Sequence, residues 1–450
     1  MPAHCLNVAI VGSGPAGYYA AERLSRAGEA VHVDIIDRLP TPFGLIRGGV
    51  APDHQSIKQV ARRYEKTALE DNVRFVGNIT LGRDISIADL MKLYDAVILA
   101  TGAGRDRALG MPGEGLPGVW GSASFVGWYN SHPDFAGLDI RLDVSAVAVI
   151  GNGNVALDVA RVLAKTAAEM AGSDIADYAG QAIQGAPIRD IHIFGRRGPE
   201  HVSFTPKELG EMGRLERCVS LIEGADIPEP EGDAKLPPHL RKVLPILRDF
   251  AANSPDMKPV RIHFAFHAQP VEVLGSESVC GLRLERTRIV DGRAQGTGET
   301  VDIPCGLVIP CIGYRTSPIE GVPFDTARGC FNNDGGRVAP RLYVTGWARR
   351  GPSGTIGTNK PDGAEVADRL LAEVAPAGRP GRAGLDALLA ARGVRIVTFR
   401  DWRRINAIEE AVAPGEKPRL KFSRVGDMLQ VLDADGATGT TADKTQRGAS

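Results

Sequence analysis

Two glycine-rich loops in separate halves of the chain predict an α/β protein of two Rossmann-like nucleotide-binding domains, the second inserted into the first. The first loop is Gly12-Ser13-Gly14-Pro15-Ala16-Gly17, and the second is Gly151-Asn152-Gly153-Asn154-Val155-Ala156. Each follows a short apolar run (residues 8–11 and 147–150) and opens a helix-like stretch. In that context glycines let the backbone approach a pyrophosphate, and the helix N-terminus faces its charge. One such loop is a common turn, whereas two point to two dinucleotides with electron transfer between them. Length agrees, because 450 residues exceed what a single core holds.

The first unit reads as strand 8–11, loop, helix 16–27 and a strand over 31–37 that alternates apolar and polar residues. Such a βαβ unit forms a parallel pair with a right-handed crossover. A helix over 55–69 and strands at 73–76 and 96–100 follow, the last closing on Thr101-Gly102. The second unit repeats the design with strand 147–150, helix 155–170 and strand 190–194, and 172–187 reads as an insertion. Strands at 261–266, 271–274, 281–290 and 307–312 are expected to complete one sheet. Proline and glycine density over 223–238 marks a surface loop. A strand over 342–345 leads into Gly346-Trp347, and a final helix spans 362–372. The expected domains are 1–104 with 331–450, and 105–330 between them. Residues 433–450, rich in Gly, Thr, Ala and Asp, read as a disordered tail.

Composition narrows the function classes. Hydrophobic content of 43% and charged content of 24% suit an ordinary globular protein. A net charge of −1 gives no overall pull towards nucleic acid or anionic membrane. No apolar run of about 18 residues predicts a membrane span. Residues 1–7 carry no charged n-region, apolar h-region or Arg-rich transit segment, so a cytoplasmic protein, or a mature organelle form, is expected. The six cysteines lie far apart without a CxxC pair, which encodes neither a dithiol centre nor an iron–sulfur cluster. They are expected to pack as small reduced apolar groups, and no metal site is expected. Electrons would then pass to an acceptor outside the chain.

Two strand ends carry the chemistry. Asp37, about 20 residues beyond the first loop, is suited to a ribose hydroxyl pair, as in FAD or NAD. The matching strand of the second unit ends in Gly195-Arg196-Arg197-Gly198, with no acid. Two guanidiniums suit a 2′-phosphate through charge-assisted bidentate bonds. The first site is therefore expected to take FAD and the second NADP(H).

These stretches resemble the adrenodoxin reductase-type ferredoxin–NADP(+) reductases. The resemblance is carried by the first loop, Pro42-Phe43-Gly44-Leu45, Val50-Ala51-Pro52-Asp53-His54, FVGWYN over 125–130, GNGNVALDVAR over 151–161, FTPKELGEM over 204–212 and GWARRGPSGTIGTNK over 346–360. It extends to about residue 405. The resemblance implies that Gly12, Gly14, Ala16, Gly17, Asp37 and Leu45 contact FAD, with Leu81 nearby. Trp347, Gly354, Thr355 and Ile356 would meet the isoalloxazine region. Asn152, Gly153, Asn154 and Val155 would hold the NADP pyrophosphate, Arg196 and Arg197 the 2′-phosphate, and Glu208 a further part of NADP. Gly354 would touch the nicotinamide end. His54 and Glu211 match family residues near the flavin and are candidates for proton handling. Asn152 and Asp37 stand where other members have Gln and Glu, and both keep their hydrogen-bonding capacity.

Arg241, Lys242 and Arg248 resemble the family's basic face for an acidic ferredoxin, although a solvated charged face explains them equally well. The implied partner is a small acidic ferredoxin-type iron–sulfur protein, with the chain itself a monomer. A glutamate synthase small-subunit-like flavoprotein also pairs FAD and NADPH modules, but that class carries an N-terminal cysteine-rich region. A non-catalytic flavoprotein that senses NADP(H) is the reading of a different class. Turnover with a one-electron acceptor separates these.

Overall fold

The computed structural model describes residues 5–28, 30–225 and 227–438, apart from the side chains of 434–438. The first sheet runs in the order 337–339, 342–344, 96–99, 6–11, 31–36, 73–77, 397–398. Its five inner strands pair in parallel and the two outer ones antiparallel. In Leu6–Val11 five of six residues are buried, because helices and loops cover both faces of the sheet. A five-stranded sheet of parallel pairs follows, in the order 307–310, 146–150, 190–194, 260–265, 218–223. One face packs on helices Ser122–Tyr129, Asn154–Ala164 and Leu240–Ala251 around the largest apolar cluster.

The chain thus starts the first sheet, builds the second and returns at Arg337–Ala339 to finish the first. The return docks tightly on the opening helix, Pro15–Ser25. A Cβ on Gly363 would lie 2.9 Å from the Ala20 nitrogen, and one on Gly346 would lie 2.5 Å from the Ala16 Cβ. Helix Asn359–Glu373 can approach this closely only because Gly363 faces the opening helix.

Several expectations change. The four strands expected to complete one sheet divide between two. Val260–Ala265 and Leu307–Pro310 join the parallel sheet, whereas Ala268–Gly275 and Val279–Val290 form a separate antiparallel sheet with Arg293–Pro304. The hairpin signal was Asp291-Gly292, where both residues take positive φ, 50° and 73°, between paired Val290 and Arg293. Arg293–Pro304 is mostly exposed and lacks apolar alternation, so periodicity could not reveal it. The helix expected over 55–69 is broken into Gln55–Lys58 and Ala61–Ala68, and that over 155–170 stops at Ala164. The insertion holds a helix, Asp177–Gly185, and the loop over 223–238 a 3-10 turn, Pro230–Lys235. The final helix, Val425–Thr438, runs through the first residues of the expected tail. Residues 439–450 of that tail lie outside the described residues. Among the described residues, no helix is long and apolar enough to cross a membrane.

Candidate functional site

Both glycine loops sit at the carboxyl end of a strand whose two parallel neighbours connect in opposite directions. Open α/β sheets bind ligands at such a switch point. The two loops are built alike. Gly12 has φ +110°, and a Cβ there would lie 2.3 Å from the Ala100 carbonyl oxygen, just past the neighbouring strand. Gly151 has φ +137°, with the Cys311 carbonyl oxygen 2.4 Å from the same point. In each half the crossover strand presses its first free carbonyl onto the glycine, so no side chain fits. Gly17 closes the first loop, where a Cβ would lie 2.1 Å from the Gly12 oxygen. Gly14 and Gly153 cap the following helices in extended conformation, with nothing within 4 Å of a Cβ. That open space in front of two helix N-termini is a cradle for phosphate.

Asp37 is half-buried and receives the Ser13 amide (2.8 Å), the Ser13 hydroxyl (2.5 Å) and the Leu39 amide (3.0 Å). It therefore ties the loop to the strand end, and its carboxylate keeps lone pairs for a ribose. The Pro42–Leu45 turn folds onto this loop, since the Phe43 amide donates to the Ser13 oxygen at 3.0 Å. Leu45 is left 43% exposed beside it. Leu81 bridges Ile85 and half-buries itself in the stretch that leaves Asp37, where the Ile79 amide donates to the Asp37 oxygen at 2.9 Å. Ala16 is buried under Gly346, and the half-buried Trp347 stacks on Tyr314 of the second half with ring centroids 6.0 Å apart. Gly354, with φ +81°, and Thr355 are exposed, and Ile356 packs on the first core.

The second loop positions a short helix. The Ser203 amide donates to the Asn152 oxygen (2.8 Å), and the Thr205 amide donates to Asn154 Oδ1 (2.8 Å). Thr205 caps helix Pro206–Met212, and its hydroxyl donates to the buried Glu208 carboxylate. The Asn152 side chain lies across Gly195, 1.7 Å from where a Cβ would stand. Val155 packs against the main core. Arg196 is exposed and Arg197 half-buried, and neither pairs with a carboxylate among the described residues.

Helix Pro206–Met212 also carries Glu211 to His54, where Oε2 and Nε2 are 2.8 Å apart. Around this pair lies a cluster that sequence reasoning did not assign. Asp158 Oδ1 is 3.9 Å from His54 Nδ1, and the fully buried Arg161 reaches Asp158 at 2.8 Å and Glu211 at 3.4 Å. Arg161 also grips Asp53 at 2.8 and 3.0 Å, and Lys165 adds a contact at 2.9 Å. Burial pushes the Asp53 pKa up, but the hydrogen bonds and charges of Arg161 and Lys165 outweigh it and hold it well below the carboxylate range. Burial raises the Asp158 pKa against the charges of Arg161 and His54. Asp158 and Arg161 sit three residues apart on the helix opened by the second loop, and that spacing was the available signal.

Residues 6–184 match the family described as pyridine nucleotide-disulphide oxidoreductase. The chain is 40% identical over 451 residues to the NADPH-ferredoxin reductase FprA of Mycobacterium leprae, covering 96% of this chain and 99% of the relative. It is 40% identical over 451 residues to the mitochondrial NADPH:adrenodoxin oxidoreductase of Homo sapiens, covering 95% and 92%. The solved structure of Mycobacterium tuberculosis FprA in complex with NADPH matches with a TM-score of 0.90 at 38% identity, over 95% of this chain and 99% of that one. The chain belongs to the NADPH–ferredoxin and adrenodoxin reductase family.

Two groups outside the loops bear on this membership. Of the residues that resemble the family's basic face, Arg241 and Lys242 are exposed on helix Leu240–Ala251, without an ion pair among the described residues. Arg248 differs. Its guanidinium grips Asp233 at 2.7 Å and the Pro228 carbonyl at 2.5 and 2.8 Å, so its charge holds the 228–235 segment in place. The second group is His192, Glu223 and His263, whose ligand-type atoms lie within 4.8 Å of one another. Both nitrogens of His263 already face carboxylates, Glu223 at 2.6 Å and Asp190 at 2.7 Å. Burial lowers the His263 pKa, yet these two carboxylates together outweigh it and raise the value. Carboxylates on both ring nitrogens favour the doubly protonated imidazolium.

Proposed function

We propose that the protein is a flavoprotein oxidoreductase that passes electrons from NADPH to a small acidic ferredoxin-type iron–sulfur protein, the ferredoxin–NADP(+) reductase reaction. The observation that carries this reading is an asymmetry between two loops of matching build. The first has an acid, Asp37, where the second has two carboxylate-free guanidiniums, Arg196 and Arg197. An acid suits an unsubstituted ribose, and paired arginines suit a 2′-phosphate.

The residues present fit both groups. Gly12, Gly14, Ala16 and Gly17 would cradle the FAD pyrophosphate at the helix N-terminus, with Asp37, Leu45 and Leu81 around its adenosine half. Trp347, Gly354, Thr355 and Ile356 would border the flavin ring. Asn152, Gly153, Asn154, Val155 and Glu208 would hold NADP(H). A bound flavin supplies the exchange between hydride chemistry and single-electron transfer. The chain's own task is positioning and proton custody. His54 and Glu211 lie within hydrogen-bond distance at 2.8 Å, and the buried Arg161 fixes Glu211, Asp158 and Asp53 around them. His54 lies on the first half and Glu211 on the second, so the pair forms only when the halves are closed on each other. Arg241 and Lys242, exposed and without an ion pair among the described residues, offer positive charge for an acidic partner.

Acid release of the bound cofactor followed by chromatography tests the first site. FAD is the expected product, and FMN would overturn the adenosine assignment. Ferredoxin-dependent cytochrome reduction driven by NADPH tests the second, and equal or faster turnover with NADH would overturn it.

A further inference from the structure

The three-stranded antiparallel sheet carries none of the residues assigned above, yet it touches the coenzyme turn at every residue from Gly195 to Arg197. The Ala268 amide donates to the Gly195 oxygen at 3.0 Å. The His267 amide donates to the Arg197 oxygen at 3.4 Å, and the His267 oxygen accepts from the Thr287 amide at 2.8 Å. The Thr287 hydroxyl then donates to the Arg196 oxygen at 2.7 Å. These bonds close a ring from Arg196 through Thr287 and His267 to Arg197.

Two backbone irregularities make the ring possible. His267 takes φ +54°, a left-handed conformation unusual for a side-chain-bearing residue, and so turns its amide and carbonyl to two different neighbours. Thr287 stands where the pairing with Arg293–Pro304 shifts register, the extra residues lying on that partner strand between Gly296 and Thr300, while its amide continues the ladder on the other side to the His267 oxygen. Thr287 is 4% exposed, so its hydroxyl has no competing water.

We propose that Thr287 and His267 are positioning residues for Arg196 and Arg197, and that the antiparallel sheet acts through them as the brace that sets preference for NADPH over NADH. This rests on the reading of the second loop as an NADP(H) site. Among the described residues the two guanidiniums have no carboxylate partner to orient them, so their direction follows from the main chain that bears them. Losing the Thr287 bond releases the Arg196 peptide and disperses the charge that meets the 2′-phosphate. The adenine, ribose and pyrophosphate contacts common to both coenzymes stay intact.

The test uses the FAD-loaded protein with Thr287→Val, which keeps the shape and removes the hydroxyl, and Thr287→Ser, which restores it. Calorimetry with adenosine 2′,5′-bisphosphate, against adenosine 5′-phosphate, reads the phosphate site without any turnover. Thr287→Val is expected to weaken the bisphosphate by roughly three- to tenfold, the scale of one hydrogen bond, and to leave the monophosphate unchanged. The KM for NADPH should rise by a similar factor with kcat and the KM for NADH little changed, and Thr287→Ser should behave like wild type. Unchanged bisphosphate affinity in Thr287→Val, or an equal loss for both nucleotides, overturns the brace. Wild-type protein that binds the two nucleotides equally would instead overturn the NADP(H) reading beneath it.

Discussion

At the scale of single residues, the account turns on side chains that two similar loops do not share. Replacing Arg196 and Arg197 together by Ala should lower kcat/KM for NADPH by roughly two orders of magnitude, since charge-assisted bonds are worth about 1.5–3 kcal/mol each. Activity with NADH should change little, and equal losses for both coenzymes would make the pair structural. The glycines make a second, separable prediction. Gly151→Ala meets the Cys311 oxygen at 2.4 Å in a left-handed conformation, whereas Gly153→Ala finds open space. Strain of about 1–3 kcal/mol, at roughly 2–4 °C per kcal/mol for a domain of this size, implies a Tm loss of roughly 2–12 °C for Gly151→Ala in thermal melts, and near wild-type melting for Gly153→Ala. Comparable Tm values for the two would contradict the packing of the crossover strand on the loop.

At the scale of elements, the His263 cluster ties three adjacent strands, 190–194, 260–265 and 218–223, through side chains alone. The groups facing it are Glu223, Asp190, His192 and Arg261. Its folded pKa is raised, so its contribution to stability is fully present below the unfolded value of about 6.5 and is lost as pH rises through the folded value. The Tm difference between wild type and His263→Gln should therefore shrink between mildly acidic and alkaline pH, and a difference that grows would reverse the assignment. The same contrast explains what could be read in the sequence. Residues 8–11 and 147–150 are short continuous apolar runs before glycine loops, so pattern and turn chemistry agreed there. Arg293–Pro304 carries no apolar stripe, and only Asp291-Gly292 announced it. His54 and Glu211 were legible only through resemblance, because a contact across 157 positions leaves no local trace. Arg161 was visible only as the end of the GNGNVALDVAR stretch, since its burial against Asp53 joins positions 108 apart. The partner of Arg248, Asp233 fifteen positions away, left no local trace either.

At the scale of the whole molecule, ion pairs hold the two halves together. Arg38 clasps Asp134, Lys58 and the buried Lys421 both reach Asp174, and Lys421 also donates to the Arg47 carbonyl oxygen and to Asn130 Oδ1. These contacts join the half that bears His54 to the half that bears Glu211, and Arg241 and Lys242 are exposed without an ion pair among the described residues. With a net charge of −1, steering of an acidic partner must come from that local patch. Arg241→Glu with Lys242→Glu should slow ferredoxin-dependent cytochrome reduction and flatten its fall with salt as the Debye length shortens towards about 8 Å. Ferricyanide reduction by the same variant should stay unchanged, because a small acceptor needs no patch. An unaltered salt dependence would move the docking face elsewhere. The central claim, that electrons enter from NADPH and leave singly to an iron–sulfur protein, is tested most directly by anaerobic stopped-flow absorbance of the purified protein. NADPH should bleach the visible flavin band faster than NADH at equal concentration, and a [2Fe–2S] ferredoxin added afterwards should restore the band as it becomes reduced. A flavin that NADPH does not bleach, or a bleached flavin that the ferredoxin does not reoxidise, would contradict the account.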